Sequence, residues 1–321
     1  MVNCRAHGGY LLVLFVLQGC AGLGPVHERE FDDFVSPEVT LTLLQEIGPG
    51  TMLGLRNGGF ASGARTYVPG YVSAVAARGN DLFIVDRSIG ELVHINLLAG
   101  EASRIRPLTN ADSNGLYVDD DLTVLVVDSF GRSVLHLTEH GQVIAAYTNS
   151  EFAPAPLDVT LADRGRAVIV ADELQDRFVT FNRYGGVVAV RSAETGLEPF
   201  AGSVQALASY HQSVYVLDDE LGEVTRFSLS GQPLASYGED ALLMPTALTV
   251  DHCGRLFVAD KDPGSLFVSV SDMMVSGKRT DLGMLPIDEI TDLWSDSDTL
   301  YIATGAGGVF VMLVEPGCPP S

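Results

Sequence analysis

Met244-Pro245-Thr246-Ala247-Leu248-Thr249-Val250-Asp251-His252-Cys253-Gly254-Arg255-Leu256-Phe257-Val258-Ala259-Asp260 has a simple grammar. A short apolar strand follows a proline, a turn centres on Gly254, and a second apolar run closes on an acid. Short β-branched and aromatic runs bounded by Gly and Asp read as strands, not helix. The second run recurs along the chain, closing on Asp86, Asp128, Asp172, Asp218, Asp260 and Thr304. The spacings between these closing residues are 42, 44, 46, 42 and 44. Such regularity marks an internal repeat, which must be settled before any domain cut is made.

Each closing run has the same neighbours. Before it stands a short apolar strand and a tight turn. After it come a turn, an alternating strand such as Glu223-Val224-Thr225-Arg226-Phe227, and a fourth strand such as Gly231-Gln232-Pro233-Leu234-Ala235. Four antiparallel strands, repeated six times with no long helical period between them, predict an all-β, six-bladed β-propeller. The last unit ends after its third strand, near Val314. The β-prone segment Val39-Thr40-Leu41-Thr42-Leu43-Leu44 is expected to supply the missing outer strand and close the ring.

These units resemble NHL-type propeller repeats over roughly residues 64–314, and residues 244–260 are the nearest copy. The resemblance implies the fold and leaves the function open, because such propellers include hydrolases, lyases and binding scaffolds.

The first residues read differently. Arg5 precedes the apolar run Leu11 to Leu17, which is too short to span a bilayer as a mature helix. Leu17-Gln18-Gly19-Cys20 resembles the lipobox of a bacterial secretory signal, although Gln18 is off that pattern. The expected organisation is a signal peptide at 1–19, a lipidated tether from Cys20 over 20–37, and the propeller over 38–321. Ala21 after the cysteine implies an outer-membrane lipoprotein, held to the membrane through its lipid alone. The alternative is an ordinary cleaved signal with Cys20 incidental. With 19 bases against 41 acids the chain carries −22, which repels nucleic acid and suits a basic partner, or simply solubility. With Cys4 in the signal and Cys20 lipidated, Cys253 and Cys318 remain. They lie in turns on one face of adjacent blades and pair as a disulfide or stay as two thiols.

Chemistry is expected at a mouth of the central channel. The residues just before the inner strands are Ser73, Asn114, Asp158, Gln205, Thr246 and Glu289. A polar ring over apolar strands is either a ligand site or a set of strand-end caps around channel water. Ser113-Asn114-Gly115-Leu116 with Asp158 resembles regucalcin/gluconolactonase propellers. That resemblance implies a cation, Ca²⁺ by ligand type, on Asn114 and Asp158, with Asp158 also a catalytic base. Glu289 is the candidate third ligand, since the family's first-blade Glu is Ser73 here. The repeated closing aspartates read as turn caps. They and their acidic neighbours also predict a strongly acidic mouth on that face. His94 and His136 fall on one repeated strand position, which removes them as zinc ligands. The incomplete catalytic set favours a binding scaffold in an envelope complex, with no cofactor required. Metal-dependent lactone hydrolysis is the alternative.

Overall fold

The computed structural model describes residues 39–56, 66–109, 115–192, 203–238, 242–261, 265–270, 278–281 and 289–318. The leader, the tether, Cys20 and Asn114 lie outside them.

The described chain is an all-β propeller of six sheets, five with four strands and one with six. Each sheet begins on an inner strand: Val72–Arg78, Leu116–Val118, Pro156–Ala162, Val204–Tyr210, Pro245–Val250 and Ile290–Asp296. These strands pack side by side in chain order, and the sixth returns against the first. The expectation of four strands per unit fails in the first sheet. There Leu53–Leu55 adds in parallel beyond Glu101–Pro107 and carries Thr66–Tyr67 on its far side. Residues before the first repeat thus form two additional outer strands.

Why these residues form strands is visible in their burial. The second strand of each sheet is enclosed on both faces, as in Leu82 to Asp86 and Leu256 to Asp260. Such strands read as continuous apolar runs rather than alternating ones. Outer strands alternate or are mostly exposed, as at Val143–Tyr147. The inner hairpins turn through left-handed backbone. In the third sheet Asp163, Arg164 and Gly165 take φ of 50°, 54° and 80° in succession, a geometry that Asp and Gly tolerate at least cost.

Thr40–Ile47 pairs antiparallel with Gly308–Glu315 as the outer strand of the sixth sheet. Ile47, fully buried, packs with Val309 and with Val72 and Val75 of the first sheet. An early strand therefore completes the last sheet and ties it to the first.

Cys253 and Cys318 are joined, with Cα atoms 5.7 Å apart and a sequence separation of 65. The Cys318 amide donates to Asp298 Oδ1 at 2.9 Å, and Arg255 Nη1 donates to the Pro316 carbonyl at 2.6 Å. The bridge fastens the end of the sixth sheet to the inner hairpin of the fifth. We expect Cys253→Ser to cost about 2–4 kcal/mol, the usual value for closing a loop this long. Urea unfolding of the variant, beside wild type with and without dithiothreitol, measures it. A midpoint unchanged by both treatments would show that the bridge adds no stability.

Candidate functional site

Register defines the channel wall. In five of the sheets the inner strand carries an irregularity one residue before the position opposite the penultimate residue of the closing run. The residues at that opposite position are Ala74, Asp158, Ala206, Ala247 and Asp292. In the second sheet the Val127 amide donates to the Gly115 carbonyl at 2.8 Å, which puts Gly115 in the same place. A Cβ there would lie 3.0 Å from the Asp158 Cα and 2.1 Å from Val127 Cγ2, so only glycine fits. Four of the six equivalent positions are therefore Ala or Gly, and two carry acids. The acids belong to the third and sixth sheets, three apart in either direction around the ring.

The two aspartates are held alike. Asp158 Oδ1 accepts from the Val159 amide at 2.7 Å, and its Oδ2 accepts from the Leu207 amide of the next sheet at 2.6 Å. Asp292 Oδ1 accepts from the Leu293 amide at 2.8 Å, and its Oδ2 accepts from the Val75 amide of the first sheet at 2.8 Å. Each carboxyl thus ties adjacent inner strands together. Burial pushes the Asp158 carboxyl up to about 7, against its two backbone bonds. Burial, and then the negative field of Asp158, raises Asp292 well above the ordinary carboxylate range.

Both line a cavity of about 710 Å³ that runs along the inner strands to the turns of the inner hairpins. Eight aspartates and two arginines line it, with Tyr117, Tyr210 and Trp294. Some of that charge is already matched. Arg78 Nη1 and Nη2 reach Asp296 at 2.8 Å and Asp120 at 2.9 Å. Arg255 Nε holds Asp251 at 2.5 Å. The Tyr117 and Trp294 rings meet edge to face with centroids 5.1 Å apart, and Trp294 Nε1 donates to the Ala77 carbonyl at 2.8 Å.

The ring expected from sequence does not assemble. Ser73, Gln205 and Thr246 sit on the irregular residues of their strands, whereas Asp158 lies one residue further on, so they share no level. Ser73 is buried and Thr246 Oγ1 donates to the Ile290 carbonyl at 3.1 Å, a tie between sheets. Glu289 is half-buried, with an oxygen 3.8 Å from Lys261 Nζ. Of the described members only Asp158 lines the cavity. Asp292 was missed. Aligning the ring by polar type matched Glu289 to Asp158, whereas Thr291-Asp292-Leu293 is the true counterpart of Leu157-Asp158-Val159.

On the face where an acidic mouth was expected, Glu173, Asp219 and Glu220 are exposed. The closing aspartates are buried and occupied as caps: Asp86 accepts from Tyr67 Oη, Gly70 N and Ser88 N, and Asp172 from Ala155 N and Gln175 N. The acidic cavity opens among the inner hairpins, at the opposite ends of the inner strands. Near its rim, Nδ1 of His252 lies 3.4 Å from Cys318 Sγ. His252, Cys253 and Cys318 are the one metal-like grouping among the described residues, and its two sulfurs are bonded to each other.

No family model matches the chain, and no curated protein matches it in sequence. Solved structures do match. One is a protein of unknown function from Bacteroides thetaiotaomicron, with TM-score 0.62, 19% identity, and coverage of 87% of this chain and 76% of that one. Virginiamycin B lyase from Staphylococcus aureus gives TM-score 0.60 at 12% identity, covering 86% of this chain and 99% of the lyase. A gluconolactonase from Xanthomonas campestris gives 0.59 at 15% identity, covering 77% and 86%. At such identities the likeness is one of fold: the chain is a β-propeller, and these neighbours share no single activity.

Proposed function

We propose that the chain is a six-bladed, NHL-type propeller that binds rather than catalyses. In this reading it is a lipid-anchored scaffold in a bacterial outer-membrane complex and holds a basic partner at the hairpin face. Each of the six sheets serves as one blade, the first enlarged by two strands. The observation that carries the binding reading is the acidic, aromatic cavity between the inner hairpins. Clefts that combine one sign of charge with aromatic surface attract and retain cationic groups. The alternative, lactone hydrolysis through a metal on Asn114, Asp158 and Glu289, is less favoured: Asp158 and Glu289 stand at different levels of the inner strands, and Asn114 lies outside the described residues.

The test is crosslinking in intact cells followed by capture of the tagged, full-length protein from membranes. We expect one or more basic envelope proteins to be recovered, and recovery to fall in a variant with Asp119→Asn, Asp121→Asn and Asp163→Asn. Recovery no higher than from a tag-only control would overturn the reading.

A further inference from the structure

Two carboxyls in the cavity lack a counter-charge. Asp158 is buried and Asp292 half-buried among the inner strands, and among the described residues neither forms an ion pair with Lys, Arg or His. Each of their four oxygens accepts one backbone N–H, and a carboxylate oxygen has a second acceptor site. Ionising acids held this way is costly without a cation, so the empty pair retains protons, and an entering ammonium lowers the cost of giving them up. The other four positions at this level are Ala74, Gly115, Ala206 and Ala247, so the space between the two acids is not filled by side chains.

Further along the cavity, Arg78 engages Asp120 and Asp296, and Arg255 behind the wall holds Asp251, while Asp121 and Asp163 line the rim beside Arg164 and form no ion pair with Lys or Arg among the described residues. Between the two levels the wall carries Leu161 and Trp294. The sequence of surfaces is a carboxyl pair, then apolar and aromatic groups, then an acidic rim that also carries Arg164. A bare metal ion needs oxygens at roughly 2.3–2.6 Å on all sides, whereas a space of about 710 Å³ suits an organic ligand.

We propose that this cavity binds a linear aliphatic diamine, with one ammonium between Asp158 and Asp292, the methylenes along Leu161 and Trp294, and the second ammonium beside Asp121 and Asp163. This deepens the binding reading above and rests on it. A basic partner's side chain would use the same surfaces.

The protein contains a single tryptophan, Trp294, on the cavity wall, so its fluorescence reports occupancy directly. The mature protein is titrated with 1,5-diaminopentane, 1-aminopentane and CaCl₂, with calorimetry alongside. The expected result is a saturable change with the diamine, and binding about tenfold or more weaker for the monoamine, as loss of one charge-assisted contact implies. Asp158→Asn and Asp292→Asn should each weaken the diamine by a similar factor. Asp163→Asn, in an exposed hairpin turn, serves if the buried variants fail to fold. It should weaken the diamine and leave 1-aminopentane unchanged. No saturable signal by about 10 mM diamine, equal affinity in the variants, or an equivalent response to CaCl₂ alone would overturn the inference. Partner capture is scored separately. A partner recovered while diamine binding fails overturns this inference and leaves the scaffold reading standing.

Discussion

Between pH 5 and pH 8 the protein should lose stability to urea, and the loss should depend on Asp158 and Asp292. Both carboxyls have folded-state pKa values above those of an unfolded chain. The folded protein therefore binds more protons than the unfolded one in the interval between the two values. Stability is fully present below the unfolded value near 4 and is lost as pH rises toward the folded value. For Asp158, raised to about 7, the full shift corresponds to roughly 4 kcal/mol. Asp292 adds in the same direction, and the two lose their protons as a coupled pair rather than independently. Burial also raises Asp172 and Asp218, which contribute with the same sign. His136 opposes the trend below its ordinary value, because burial lowers it. Urea midpoints across pH 4.5–8.5 measure the slope. In a double Asp158→Asn, Asp292→Asn variant the fall between pH 5 and pH 8 should shrink by at least half. The variant starts lower, because an amide has one acceptor oxygen for two backbone donors, but the slope is the diagnostic quantity. A slope equal to that of wild type would show that these carboxyls are ionised and solvated in the folded state.

That pair also shows where the sequence stopped being readable. The repeat was plain, because closing runs such as Val168-Ile169-Val170-Ala171-Asp172 must be apolar on both faces, and such runs stand out. Their end aspartates were read as caps for the same reason: one repeated position serves one repeated backbone need, as the Asp86 and Asp172 hydrogen bonds show. The inner strands were harder. One irregular residue shifts all later side chains by one place, and nothing in the residue types around Leu157 or Thr291 announces it. Asp158 was therefore grouped with Ser73, Gln205 and Thr246, and Asp292 passed for an ordinary strand residue. The cavity was hidden for a different reason. Its rim is made by hairpin turns, where Asp119-Asp120-Asp121 and Asp163 look like ordinary turn formers. Only their convergence from separate sheets makes them a common surface. The two extra strands of the first sheet are three and two residues long, too short for a periodic signal.

Deleting residues 40–47 should abolish the native fold, although these residues supply only one of the sixth sheet's four strands. The strand they form is mostly exposed, yet it covers the edge of Gly308–Glu315 along seven paired positions from Thr40↔Glu315 to Ile47↔Val309. The strand beneath is eight residues long, with Val309, Phe310, Val311, Met312 and Val314 all buried. Uncovered, it becomes a long apolar edge, the kind that pairs with other chains. Ile47 also anchors the contact between the sixth and first sheets. Ile47→Ala should therefore cost about 2–4 kcal/mol by cavity formation alone. The deletion removes that anchor and the whole ladder together. Size-exclusion chromatography should show species larger than wild type, and the cooperative thermal transition should broaden or vanish. A synthetic peptide spanning residues 39–48, added in excess, should restore the wild-type elution by mass action if the strand acts only as a cover. A deleted chain that elutes like wild type and melts within a few degrees of it would show instead that the inner strands alone hold the ring closed.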